Sequence, residues 1–270
     1  GLWMSDVPDI RAIVRDKYGQ IAKGSSAGCC GPECCGGAPD AETSRKIGAH
    51  IGYDAAELAA VPEGANLGLG CGNPLAHAAV VPGAVVLDLG SGAGMDAFLA
   101  AREVGPTGRV IGVDMTPDMV ERARENARRT GTSNVEFRLG EIERLPVADA
   151  SVDVVISNCV INLSPDKAAV FAEAYRVLRP GGRLVVSDLV LKRPLPEDVR
   201  HSVEAYVGCV AGAALHGDYL AMIREAGFAD VETVEERSYG DADLFGGYEW
   251  LREAAKSVVS AKVRAVKPLQ

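Results

Sequence analysis

No run of apolar residues in this 270-residue chain approaches the roughly 20 that a membrane-spanning helix requires, so no membrane partner is expected. Residues 1–20 also lack the order of a secretory signal, since charge alternates there with small and apolar residues. The default expectation is a cytoplasmic location. Basic residues are in deficit: 28 Lys and Arg face 37 Asp and Glu, for a formal net charge of -9. Such a surface repels phosphate backbones, which excludes nucleic acid as a partner unless a local basic patch exists. Arg122, Arg124, Arg128 and Arg129 share one helical stretch, but Glu121 and Glu125 dilute them, and a solvated helix face is the expected outcome. Aromatic residues are few, at 5%. The four histidines (His50, His77, His201 and His216) show no H-x-x-x-H spacing and read as surface or hydrogen-bonded residues, with His77 near enough to Cys71 in sequence to touch a site there. There is no internal repeat.

What remains is an ordinary globular composition, 47% apolar and 24% charged, at a length that suits one large domain with embellishments at both ends. A monomer is expected. Residues 7–18 carry Val7, Ile10, Val14 and Tyr18 near one helical stripe. Residues 19–42, rich in Gly, Ala, Ser, Pro and Cys, form a break expected to be mobile without a ligand. A second short helix is expected over 53–60, ending before Pro62, then an ordered loop over 64–83 with one helical turn.

From residue 84 apolar runs alternate with helical spacing. Strands are expected at 84–89, 109–114, 134–139, 152–157 and 183–189. Helices are expected over 95–104 and from Pro117, behind a Thr116 cap, to about 130. Another opens at Ser164-Pro165-Asp166 and ends at Pro180-Gly181-Gly182. Residues 196–227 read as mainly helical, and 229–236 and 257–266 as two last strands, although a helix fits the latter nearly as well. The alternation argues for βαβ units, and the continuous apolar runs for strands covered on both faces. The expected fold class is α/β: a doubly wound Rossmann-like sheet over 84–190, a cysteine-rich helical extension over 1–83, and over 191–270 a helical insertion followed by the final strands.

Asp88-Leu89-Gly90-Ser91-Gly92-Ala93-Gly94 falls directly after the first strand and before a helix, at the edge where open α/β sheets bind ligands. Asp114 ends the second strand, where a carboxylate can accept hydrogen bonds from ribose hydroxyls. The spacing is not that of a dinucleotide loop, which would need glycine at Met95. Spacing alone places residues 140–142 and 158–160 at the same sheet edge. Over about residues 84–190 the chain resembles the class I S-adenosylmethionine methyltransferases. That resemblance implies S-adenosylmethionine bound by Asp88, Gly90, Ser91, Gly92 and Gly94, with Asp114 and Met115 at the ribose. It also implies Glu141 and Ile142 at the adenine and Asn158 near the methionine moiety.

The seven cysteines are Cys29, Cys30, Cys34, Cys35, Cys71, Cys159 and Cys209. Their odd number and the chain's length speak for functional thiols in a reducing compartment rather than disulfide staples. Three thiolates can hold a soft, thiophilic atom in a pyramid that leaves its lone pair free as a nucleophile. The plainer alternative makes Cys159 and Cys209 small core residues. The cluster Ala27-Gly-Cys-Cys-Gly-Pro-Glu-Cys-Cys-Gly36 could equally be a metal-scavenging tail, and a structural zinc site is disfavoured by its adjacent cysteines.

Two strings are specific: Asn66-Leu-Gly-Leu-Gly-Cys-Gly-Asn-Pro74 and Ser157-Asn-Cys-Val-Ile-Asn-Leu-Ser-Pro-Asp-Lys167. With Asp16-Lys-Tyr-Gly19 and the segment around Cys209, they make most of the chain similar to the arsenite methyltransferases, especially the microbial ones. That resemblance implies arsenite as substrate, bound by Cys159 and Cys209 with Cys71 as third thiolate. It implies an amino-terminal cysteine, Cys29 or Cys30, that forms a disulfide with Cys71 during turnover, and a thiol reductant, thioredoxin or glutathione, as partner. The chain departs from the larger members in having no cysteine after Cys209, which bears on how many methyl groups are transferred. A methyltransferase acting on another small molecule, such as a quinone precursor, and a non-enzymatic arsenic or metal binder are the alternatives. Neither accounts for both the cofactor loop and the cysteine motifs.

Overall fold

The computed structural model describes residues 45, 49, 53–62, 65, 72–195, 212–238 and 256–270. The helix expected over 7–18, most of the insertion over 196–211, and Cys29, Cys30, Cys34, Cys35, Cys71 and Cys209 lie outside the described residues. Strands β1 (Val85–Leu89), β2 (Arg109–Asp114), β3 (Val135–Leu139), β4 (Val152–Asn158), β5 (Leu178–Leu191), β6 (Ala229–Ser238) and β7 (Val258–Val266) form one seven-stranded sheet, in the order β3-β2-β1-β4-β5-β7-β6. The first five are parallel, and β7 runs antiparallel between β5 and β6. The order reverses between β1 and β4, which opens a crevice at the carboxyl edge beside β1.

Helices α1 (Ala55–Ala60), α2 (Met95–Val104), α3 (Pro117–Thr130), α4 (Lys167–Val177) and α5 (His216–Glu225) accompany the sheet. Side chains alternate across each strand, so one sequence serves two cores. Val86 and Val110 pack with Phe98, Leu99, Val120 and Ala123 of α2 and α3. Leu87, Leu89, Ile111 and Val113 pack with Phe171, Tyr219 and Ile223 of α4 and α5. This double covering matches the uninterrupted apolar strands of the sequence. Among the described residues no helix is long and apolar enough to cross a membrane.

Two local expectations change, and one open choice between strand and helix is resolved. Thr116 stands at the start of α3 without a side-chain capping bond, and Pro117 alone sets the first turn. Strand β5 begins at Leu178 rather than 183, and α4 ends at Val177. Pro180-Gly181-Gly182 forms an irregularity within β5, where its register against β4 shifts, instead of terminating the helix. The segment after residue 257 is a strand, because hydrogen bonding to both β5 and β6 outweighs the helical preference of its Ala and Lys residues. Lys262 is 3% exposed there, and its Nζ reaches Glu235 of β6 at 2.8 Å.

Candidate cofactor and thiol site

The glycine loop leaves β1 and folds back onto β2: the amides of Gly90 and Ser91 both donate to the Val113 carbonyl, at 2.7 and 3.0 Å. Gly90, Gly92 and Gly94 all have positive φ, at 65°, 54° and 104°. Their surroundings differ. A Cβ on Gly90 would sit 2.3 Å from the Val160 side chain, and one on Gly94 would sit 2.6 Å from the Phe98 ring. At Gly92 nothing lies within 4 Å. The outer glycines allow packing, and the middle one leaves backbone open to a ligand.

Asp114, at the end of β2, fixes that loop. Its Oδ2 accepts from the Gly92 amide at 3.0 Å and its Oδ1 from the Thr116 amide at 2.8 Å. Burial raises its carboxyl, and these bonds partly offset the rise. Each oxygen retains acceptor capacity, since a carboxylate offers about four lone-pair sites. Met115 follows, half-buried. The Gly140 amide donates to the Asp114 carbonyl at 2.9 Å, which brings Glu141 and Ile142 to the same edge. Ile142 is 8% exposed within the core, whereas Glu141 is exposed and its backbone carbonyl accepts from the Arg144 amide at 3.1 Å.

Asp88 and Asp96 are 2% and 7% exposed. Burial, reinforced by the charges of Asp96 and Asp114, pushes the Asp88 carboxyl well above the usual range. Burial lifts Asp96 to about 6, against hydrogen bonds from Tyr53 and Asn158. Buried carboxylates gathered this way favour a bound cation.

Asn158 and Cys159 follow β4. Cys159 is 6% exposed, and its amide donates to the Ser187 carbonyl at 2.7 Å. Its φ of 61° is left-handed, a conformation that costs a residue with a Cβ about 1–2 kcal/mol. The next residue, Val160, packs over Gly90, so the thiol segment and the cofactor loop share a wall. Asn158 Nδ2 donates to the Gly72 carbonyl at 2.7 Å, and a Cβ on Gly72 would lie 1.8 Å from Ser187 Oγ. The residue after Cys71 therefore contacts both the residue before Cys159 and the strand that holds Cys159. Among the described residues Cys159 is the one cysteine, and no group of three metal-ligating side chains gathers.

Sequence reading missed Tyr53 and Asp96. The Tyr53 hydroxyl donates to Asp96 Oδ1 and accepts from Asn158 Nδ2 at 2.9 Å. Asp96 had a signal in its position two residues beyond Gly94; Tyr53 had none. His77 faces Glu235, its Nε2 lying 3.0 Å from Oε2. His216 bonds Thr233 at 2.8 Å, in line with its expected hydrogen-bonded role.

Residues 81–227 match the family model of a methyltransferase domain. The chain is 50% identical over 272 residues to the arsenite methyltransferase of Halobacterium salinarum, an alignment that covers 97% of this chain and 68% of the relative. The chain belongs to the arsenite methyltransferase family. The family member from Aquipseudomonas alcaligenes is 44% identical over 181 residues, 64% of this chain and 52% of the relative, so the chain spans about half to two thirds of these proteins. A solved arsenic(III) S-adenosylmethionine methyltransferase from Chlamydomonas reinhardtii superposes with a TM-score of 0.63 at 38% identity, covering 86% of this chain and 74% of the other.

Proposed function

We propose that this protein transfers the methyl group of S-adenosylmethionine to trivalent arsenic held by cysteine thiolates, giving methylarsenite and, in a second round, dimethylarsenite. The observation that carries this reading is Cys159, buried in a left-handed backbone beside an open glycine loop, with the residue after Cys71 bonded to its neighbour. Family membership supplies the substrate class.

The residues fit the cofactor. Among the described residues no basic side chain offsets the raised Asp88 carboxyl, and a ligand carrying ammonium and sulfonium charges would do so. We assign Asp88, Ser91, Gly90, Gly92 and Gly94 to its methionine portion, Asp114 and Met115 to the ribose, and Glu141 and Ile142 to the adenine. Asn158 closes the methionine side. When bound, S-adenosylmethionine supplies an electrophilic methyl group.

The thiolates of Cys71, Cys159 and Cys209 are the arsenic ligands in this reading. Soft sulfur donors hold the thiophilic centre and leave its lone pair exposed. Burial of Cys159 keeps competing water away. Formation of the arsenic–carbon bond would use that lone pair while the methyl–sulfur bond of the sulfonium breaks, its electron pair leaving with the thioether product, and arsenic becomes formally pentavalent. Two thiolates that join as a disulfide return two electrons and restore the trivalent state. We assign that pair to Cys71 and Cys29 or Cys30, with thioredoxin or glutathione regenerating the thiols by exchange.

The test is incubation with arsenite, S-adenosylmethionine and a thiol reductant, followed by chromatography with elemental mass detection. Methylated arsenic is expected from the wild type. Cys159→Ser should abolish it, because a protonated alcohol is a hard, weak ligand for arsenic. Cofactor binding should survive that change and serves as the folding control. A wild type that binds cofactor yet methylates no arsenic would transfer the assignment to another small-molecule acceptor.

A further inference from the structure

One amide nitrogen joins three segments of the site. Asn158 Nδ2 lies within hydrogen-bond distance of Asp96 Oδ2 at 3.1 Å, the Tyr53 hydroxyl at 2.9 Å and the Gly72 carbonyl at 2.7 Å, three acceptors that share its two N–H groups. Asp96 lies on α2, which begins at the end of the glycine loop. Asn158 precedes Cys159, and Gly72 follows Cys71. Tyr53, 3% exposed, closes the set by donating to Asp96. A second brace holds the same stretch: Asn73 Nδ2 donates to Glu57 at 3.2 Å, and Glu57 is locked into α1 by its capping box with Asp54. On its other side Gly72 abuts Ser187 and the Lys262 stem, with no room for a methyl group.

We propose that Tyr53, Asp96 and Asn158 are a positioning device that registers the Cys71 segment against Cys159, and both against the cofactor loop. The inference rests on the arsenic-methylating reading for its kinetic consequence, but its geometry does not depend on that reading. In this proposal Tyr53 and Asp96 act through Asn158 and Gly72 rather than on arsenic or the transferred methyl group. In-line transfer is sensitive to small displacements, about 100-fold in rate for about 1 Å. Loss of registration should therefore appear in the transfer step rather than in cofactor affinity.

Two substitutions disturb the register from opposite sides. Tyr53→Phe keeps the ring and removes the hydroxyl that bridges Asp96 and Asn158. Gly72→Ala drives the segment away from Ser187, and Ser187→Gly in the same chain relieves that clash. Single-turnover methylation of arsenite at saturating cofactor should fall about 10- to 100-fold in both single variants and recover substantially in the Gly72→Ala, Ser187→Gly pair. Calorimetric S-adenosylmethionine affinity should stay within about threefold of the wild type, which is under 1 kcal/mol. Unchanged rates in both variants, or cofactor affinity falling in step with rate, would overturn the proposal.

A second readout is independent of turnover. With Cys29, Cys30, Cys34, Cys35 and Cys209 replaced by Ser, phenylarsine oxide needs Cys71 and Cys159 together for a chelate. The parent should bind one equivalent, and Tyr53→Phe or Gly72→Ala should weaken binding about tenfold, near 1.4 kcal/mol. Equal binding in all three proteins, or none in the parent, overturns the registration. Weakened binding in these variants, together with a wild type that methylates no arsenic, would sink the functional reading and leave the registration standing.

Discussion

Asp188 shows what a single buried residue costs and why its role is invisible in the sequence. It is 1% exposed, one position beyond the carbonyl that holds Cys159, and accepts from the Tyr219 hydroxyl at 2.9 Å. Burial raises its carboxyl to about 7, against the Tyr219 bond and the Lys167 charge. The unfolded chain titrates near the ordinary value of about 3.9. Between those values the folded state holds the extra proton, so stability falls as pH rises from about 4 to 7 and is flat above. Asp188→Asn should thus be nearly neutral at about pH 3.5 and raise unfolding free energy at pH 8, by at most about 4 kcal/mol. Chemical denaturation at the two pH values measures this; a variant equally stable or less stable than wild type at pH 8 contradicts it. Asp114, by contrast, was legible from sequence, because a strand end a fixed distance beyond a glycine loop is a local pattern. The Tyr53–Asp96 contact spans 43 residues, and no local pattern reports a pair brought together by the tertiary fold.

Among the elements, the strand–helix alternation from 84 to 178 was readable because each buried strand is a short apolar run bounded by turn residues. Strand β7 was ambiguous for a physical reason: its neighbours β5 and β6, not its own composition, settle its conformation. The start of strand β5 was expected five residues late because Pro180-Gly181-Gly182 signals a break that the sheet absorbs as an irregularity. The glycine loop lies between β1 and α2 as its pattern predicts, but that pattern does not distinguish the three glycines. Gly94→Ala would force a Cβ against the Phe98 and Phe137 rings at 2.6 and 2.9 Å, with φ at 104°. It should destabilise the fold by at least about 2 kcal/mol, combining overpacking with backbone strain. Gly92→Ala has open space around it and only the left-handed cost of about 1–2 kcal/mol. In the proposed reading its larger effect should fall on S-adenosylmethionine affinity, because the new methyl group would take up open space assigned to the cofactor. Thermal melting and calorimetry on the two variants separate the cases; equal losses in both measurements for both variants would refute the division.

For the whole molecule, two cores on either side of one sheet hold the described residues together. The stretch Ala27–Gly36 consists of four cysteines, three glycines, Ala, Pro and Glu, and offers little apolar surface to bury. Its chemistry is thiol chemistry. In the proposed cycle Cys29 or Cys30 is needed once per turnover, after methyl transfer, when the oxidised arsenic must regain two electrons. A first transfer to thiolate-bound arsenic does not require it. Cys29→Ser combined with Cys30→Ser should therefore leave melting nearly unchanged and single turnover largely intact. Multiple turnover with thioredoxin or glutathione should slow markedly, by about tenfold or more if exchange becomes limiting. Cys34 and Cys35 remain in that variant, and adding Ser at both positions shows whether they substitute. Should the double variant melt well below the wild type while turning over normally, the cluster is structural and the redox assignment fails. Should single and multiple turnover fall together, these thiols act before methyl transfer, as arsenic ligands rather than as the source of electrons.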